Sequence, residues 1–142
     1  MACPFFMPVT RLDQKEWLHA PRLPLGDPYA GVCHARPGEP FEPPASALDD
    51  LCNCGYARGR CDRFPAETTA DAVRFSLVSV DPDVICLVYI LERAHAPVEH
   101  GTLRYATRQS RFADAPPTVI LAAQAEAFLE SHLARQARAV AV

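Results

Sequence analysis

Five of the six cysteines in this chain fall within its first 61 residues, in a stretch that proline and glycine keep from forming long regular elements. They are Cys3, Cys33, Cys52, Cys54 and Cys61. Residues 1–66 hold ten of the fourteen prolines and five of the six glycines. Proline removes a backbone donor and glycine adds chain entropy, so this half is expected to be turns and short helices. Two helical pieces are expected. One runs from Asp13 to His19. The other starts at Ser46 as N-cap, with Asp49 as capping-box partner, and ends near Cys52. Such a half buries too little to hold itself together. It must wrap on the rest of the chain or on an inorganic centre.

The remainder reads as ordinary α+β structure. Val73, Phe75 and Leu77 alternate with Arg74 and Ser76, the pattern of a half-buried strand. Asp81-Pro82-Asp83 is a turn. Val84 to Leu91 is apolar on both faces, which predicts a central strand with antiparallel neighbours. A loop through Pro97 and Gly101 leads to a third strand at Leu103 and Tyr105. Pro116 and Pro117 open a long helix from about Thr118 to Ala139. Its apolar face carries Leu121, Ala125, Phe128 and His132, with Leu129 and Leu133 on the flank. The expected architecture is a small antiparallel sheet of about three strands in residues 67–142, covered by the C-terminal helix. The irregular Cys/Pro-rich segment, residues 1–66, wraps on it to make one compact unit.

Charge and hydropathy exclude some functions. A net charge of −3 gives no electrostatic case for nucleic acid. The longest apolar stretch, Val84 to Leu91, is too short to span a bilayer. The Met1-Ala2-Cys3-Pro4-Phe5-Phe6 start lacks the basic residues and apolar body of a signal peptide, so a cytoplasmic location is expected. Reducing cytosol favours metal binding or redox chemistry over disulfides.

Cys3, Cys33, Cys52 and Cys61 make a four-thiolate set, with Cys54 as the alternative to Cys52. The gaps between them are 29, 18 and 8 residues. Neither the paired CxxC knuckles of zinc ribbons nor the close triplet of ferredoxins appears. Three features favour an iron–sulfur cluster, with [4Fe-4S] ahead and zinc as the alternative. Pro4 after Cys3 turns the chain away from a cluster. Arg58, Arg60 and Arg63 crowd Cys61 and would offset an anionic centre. Phe5, Phe6, Trp17, Tyr29, Tyr56 and Phe64 could shield it from water. The Cys-Pro start and the CNCGYARGRC segment resemble ligand-bearing pieces of cysteine-coordinated iron–sulfur proteins in general. Four occupied ligand positions leave no open iron, which points to electron transfer or redox sensing with a redox partner protein. A structural zinc module that docks a partner protein is the second reading. A thiol enzyme using Cys54 or Cys61, activated by arginine, is the third.

Other residues weigh less. His34 and His19 could replace a thiolate, but loop histidines more often only hydrogen-bond. Glu92, His95, Glu99 and His100 are expected in one polar surface loop. Cys86, mid-strand, is expected to be a buried inert thiol. No GxSxG, P-loop or GxGxxG motif is present.

Overall fold

The computed structural model describes residues 2–12, 25–67 and 70–140. In chain order the elements are β1 (Phe6–Arg11), β2 (Tyr29–Cys33), α1 (Ala45–Ala47), β3 (Ala72–Val80), β4 (Val84–Arg93), β5 (Ala96–Ala106), β6 (Arg111–Phe112) and α2 (Val119–Val140). Strands β3-β4-β5-β6 form one antiparallel sheet in that order, and β1-β2 form a second. The chain is thus α+β, with two sheets and a C-terminal helix.

The strongest sequence signals gave the centre. β4 is an interior strand, and its Ile85, Leu87 and Tyr89 are buried. The alternate residues Cys86, Val88 and Ile90 are only half-buried, on the opposite sheet face. Cys86 is therefore not the fully buried thiol expected. α2 follows Pro116 and Pro117, and Thr118 Oγ1 caps it by accepting the Leu121 amide at 3.0 Å. Leu121, Ala125 and Leu129 are buried against Val73, Phe75 and Leu87, and the Phe128 ring lies on Phe75 at 5.7 Å. His132 is half-buried and Leu133 is 42% exposed, so the apolar stripe narrows towards the helix end.

Three expectations need correction. The N-terminal half is not only turns and helices, because it contributes β1 and β2. The sheet of residues 67–142 has four strands where about three were expected, and the described residues hold six strands in all. The expected loop through Pro97 and Gly101 is strand. β5 starts at Ala96, and the connection is only Ala94-His95, both at positive φ (50° and 66°). That is the backbone of a tight two-residue hairpin, built here without asparagine or glycine. Gly101 within β5 leaves room for Tyr89, since a Cβ there would lie 2.5 Å from the phenol oxygen. The helical piece near Cys52 exists as α1 followed by one π-helical turn, Leu48–Cys52. Its N-cap is Pro44, without a side-chain cap, so no Ser46–Asp49 capping box forms. The piece expected at Asp13 to His19 lies outside the described residues. No described helix is long and apolar enough to cross a membrane.

Hydrogen bonds fasten the proline-rich half to this centre. Ala2 exchanges both backbone bonds with Val73 on β3, at 2.9 and 2.8 Å. Tyr29 of β2 donates its hydroxyl to the Ala127 carbonyl of α2 at 2.7 Å. Gln124 of α2 is fully buried, and its Nε2 donates to the Cys3 and Phe6 carbonyls, each at 2.8 Å. Gln124→Leu keeps the volume but removes both donors. It is expected to destabilise the fold by about 2 kcal/mol, read as a lower urea midpoint with an unchanged slope.

Candidate functional site

The cysteines lie where fixed pieces of backbone meet. Cys3 begins a turn closed by the Phe6 amide on the Cys3 carbonyl at 3.1 Å. Pro4 takes the second position of that turn, where a fixed φ is favourable. Cys61 begins a matching turn, closed by the Phe64 amide at 3.1 Å. The two Cys-x-x-Phe turns meet through Phe5 and Phe64, whose rings pack edge to face at 5.5 Å. Cys33 ends β2 and exchanges both backbone bonds with Phe41, at 2.7 and 3.1 Å. Cys52 ends the π turn, and its carbonyl accepts the Cys3 amide at 3.0 Å.

Asn53 locks two of these pieces together. It is 1% exposed. Its Oδ1 accepts the Tyr29 amide at 2.9 Å, and its Nδ2 donates to the Tyr29 and Leu48 carbonyls at 2.9 and 3.0 Å. One side chain thus joins the residue after Cys52 to the first residue of β2, the strand that ends in Cys33.

The segment between Cys54 and Cys61 is clasped to the β4–β5 hairpin. Tyr56 donates its hydroxyl to Glu92 at 2.7 Å, accepts the His95 amide at 3.1 Å and stacks on the His95 ring at 4.3 Å. Arg58 donates to Asp71 at 2.6 Å and lies over Phe64 at 5.0 Å. Asp71 also accepts the Ala94 amide at 2.9 Å, and Arg74 donates to Glu92 at 2.5 Å. Burial of Asp71 would raise its pKa, but the Ala94 amide and Arg58 outweigh this and hold it below the ordinary value. Glu92 behaves alike, with Tyr56 and Arg74 outweighing burial. The four residues expected in one polar loop are therefore divided. Glu92 and His95 belong to the clasp, while Glu99 and His100 are exposed on successive positions of β5. Sequence reasoning missed Asn53, Asp71 and the role of Glu92. Only Asn53, set between two cysteines, carried a local signal.

The thiols fall into two groups by the charges they feel. Burial, with the charges of Cys33 and Cys61, pushes the Cys3 thiol up to about 12, although the backbone at Phe5 and Phe6 pulls the other way. Burial, then the charges of Cys3, Cys33 and Cys61, pushes Cys52 up to about 12 as well. Cys3 and Cys52 thus both lie within electrostatic reach of Cys33 and Cys61, which come from separate places in the chain. Cys54 stands apart. Its sulfur faces the Asp49 carbonyl at 3.2 Å, and its charged neighbours include Asp49, Asp50 and Arg60. Burial raises its pKa, the opposite of an activated nucleophile. Cys86 sits mid-strand on β4, opposite Ser79 and Arg104. His34 donates its amide to the Phe5 carbonyl at 2.9 Å. His19 and Trp17 lie outside the described residues.

No family model, curated protein or solved structure matches this chain. The reading of the site rests on its own residues. Among those described, no three His, Cys, Asp or Glu side chains are close enough to hold a metal ion as they stand. This does not conflict with the mutual charge effects. Charges interact over many ångströms, whereas a thiolate ligand sits about 2.3 Å from zinc. The four sulfurs do not form a ligating group as they stand.

Arg63 borders the group. Its guanidinium lies over the Phe41 ring at 4.1 Å and one terminal nitrogen reaches the Glu39 carbonyl at 3.4 Å. Its buried Nε meets no partner among the described residues.

The raised thiols give a pH signature. The ordinary value is 9.0, and Cys3 and Cys52 in the folded state stand near 12. Between these values the unfolded chain holds fewer protons than the folded one, so metal-free protein loses stability as pH rises above 9. Urea midpoints of reduced, chelator-treated protein are expected to be lower at pH 10 than at pH 8. Cys3→Ala and Cys52→Ala together should flatten that decline.

Proposed function

We propose that this protein binds one iron–sulfur cluster through Cys3, Cys33, Cys52 and Cys61 and serves in electron transfer or redox sensing. One observation carries the reading. The charges of Cys33 and Cys61 act on both Cys3 and Cys52, while those that act on Cys54 include Asp50, Arg60 and Asp49. A [4Fe-4S] cube takes four thiolates and then has no iron open to substrate, so its work is to pass or hold an electron.

Three features support an anionic centre there. The backbone at Phe5 and Phe6 lowers the pKa of the Cys3 thiol and so favours a thiolate there. The unpartnered Nε of Arg63 stands two residues from Cys61, over the ring whose backbone pairs with Cys33. Phe5 and Phe64 cover the junction of the two cysteine turns. Hydrogen bonds to ligand sulfurs and exclusion of water are the levers that set a cluster's potential. Loading requires the four sulfurs to close in and lose their protons. Near-neutral Cys3 and Cys52 are protonated, so the metal replaces protons that burial holds in place. A redox partner protein and a cytoplasmic setting go with this reading.

Zinc is the second reading. It also takes four thiolates and leaves no open position. What favours it is the setting: the ligands tie β2, the π turn and two loops together, as a structural ion does.

Anaerobically purified protein is expected to be brown, with broad absorption near ~400 nm and with iron and acid-labile sulfide in matching amounts. Cys61→Ser should lose the colour, while Cys54→Ser and Cys86→Ser should keep it. Colourless protein with stoichiometric zinc would sink the cluster in favour of the second reading, and protein that takes up neither metal would sink both. Either metal should release at least two protons per site at pH 7, measured with an indicator dye in weak buffer.

A further inference from the structure

Among the described residues, the outer edge of β3 is free over most of its length. Ala2 pairs with it only at Val73, using that residue's outward N–H and C=O. Backbone groups on a strand alternate in direction, so those of Phe75 and Leu77 also point outward. The β3–β4 register skips Val78, and the alternation resumes with Ser79 opposite Cys86 and Val80 opposite Ile85. Val80 therefore points its backbone outward as well. Among the described residues no hydrogen bond reaches these outward groups. Side chains here are exposed although apolar: Leu77 by 36%, Val78 by 63% and Val80 by 48%. No charged residue lies between Arg74 and Asp81, so the edge lacks the charge that usually blocks strand addition.

We propose that this edge pairs with the same edge of a second copy, antiparallel, about a two-fold axis at Leu77. The register is self-complementary. Leu77 faces Leu77, Phe75 faces Val80, and Ser76 faces Ser79. Arg74 faces Asp81 of the second copy, twice. The skipped Val78 makes this possible, because it places Arg74 and Asp81 on the same sheet face. The outward groups of Phe75, Leu77 and Val80 then meet outward groups across the axis. The pairing also uses the whole free edge. Ala2 occupies the strand on one side of it, and Pro82, without an N–H, ends it on the other. Glu92 takes the Arg74 Nε, and a guanidinium carries further donors for Asp81. Two such sheets would make one continuous eight-stranded sheet, closed by the symmetry of an isologous contact.

Sedimentation velocity of the full reduced chain, from micromolar to submillimolar concentration, tests this. A reversible monomer–dimer equilibrium is expected, with amide exchange over residues 75–80 slowing as dimer forms. Val78→Lys puts two like charges beside the axis on an exposed position and should leave monomer throughout. Asp81→Arg sets arginine against Arg74 and should weaken the dimer several-fold at low salt. Wild-type protein that stays monomeric overturns the proposal, as does a dimer that Val78→Lys leaves intact or one protected at another segment. Should Val78→Lys fail to fold, Asp81→Arg and the exchange pattern decide it. The result does not depend on the identity of the metal.

Discussion

A single buried amide, Asn53, holds the least self-supporting part of this molecule in register. Its side chain imitates a strand neighbour by accepting from and donating to the backbone of one residue, Tyr29. It also closes the π turn through Leu48. One partner segment is the start of a two-stranded sheet and the other a single π turn. Were Asn53 replaced by an apolar residue, the Tyr29 amide and carbonyl would lose this partner at once, and each is costly to leave unmet.

The same device recurs around the cysteines. Gln124 holds the Cys3 turn, and Arg58 with Asp71 holds the approach to Cys61. A proline- and glycine-rich chain has little apolar area to bury, so specific polar contacts do what a hydrophobic face does elsewhere. These bonds join segments far apart in the chain, with Cys3 and Gln124 separated by 121 residues. The N-terminal half is thus an envelope pinned to the sheet and helix at a few points. Cys3 itself accepts one of those bonds.

What could be read in advance follows from the range of the forces involved. β4 and α2 were legible because periodicity and a proline start are local signals. β1 and β2 were not, since their pairing depends on long-range contacts with Asn53 and α2. The β4–β5 hairpin was hidden for a different reason. Its Ala94-His95 turn adopts a conformation that these residues disfavour. The Asp71 carboxylate, the Tyr56 hydroxyl and the His95 ring stack make it stable. Composition alone singled out the five early cysteines. The choice of Cys52 over Cys54 rested on a helix end, and the two side chains do face different neighbours. The clasp of Asp71 and Glu92 was not legible, for nothing local distinguishes those carboxylates from surface ones.

The Gln124 contact also bears on the order in which this protein can be made. Cys3 leaves the ribosome early, but the donor that fixes its carbonyl lies on the last helix, and Ala2 waits for Val73 in the middle of the chain. During synthesis the thiols therefore emerge before the framework that gathers them. A nascent chain exposes five cysteines on a loose segment for most of its elongation time. Until α2 docks, the Cys3 turn lacks the two bonds from Gln124 that fix it.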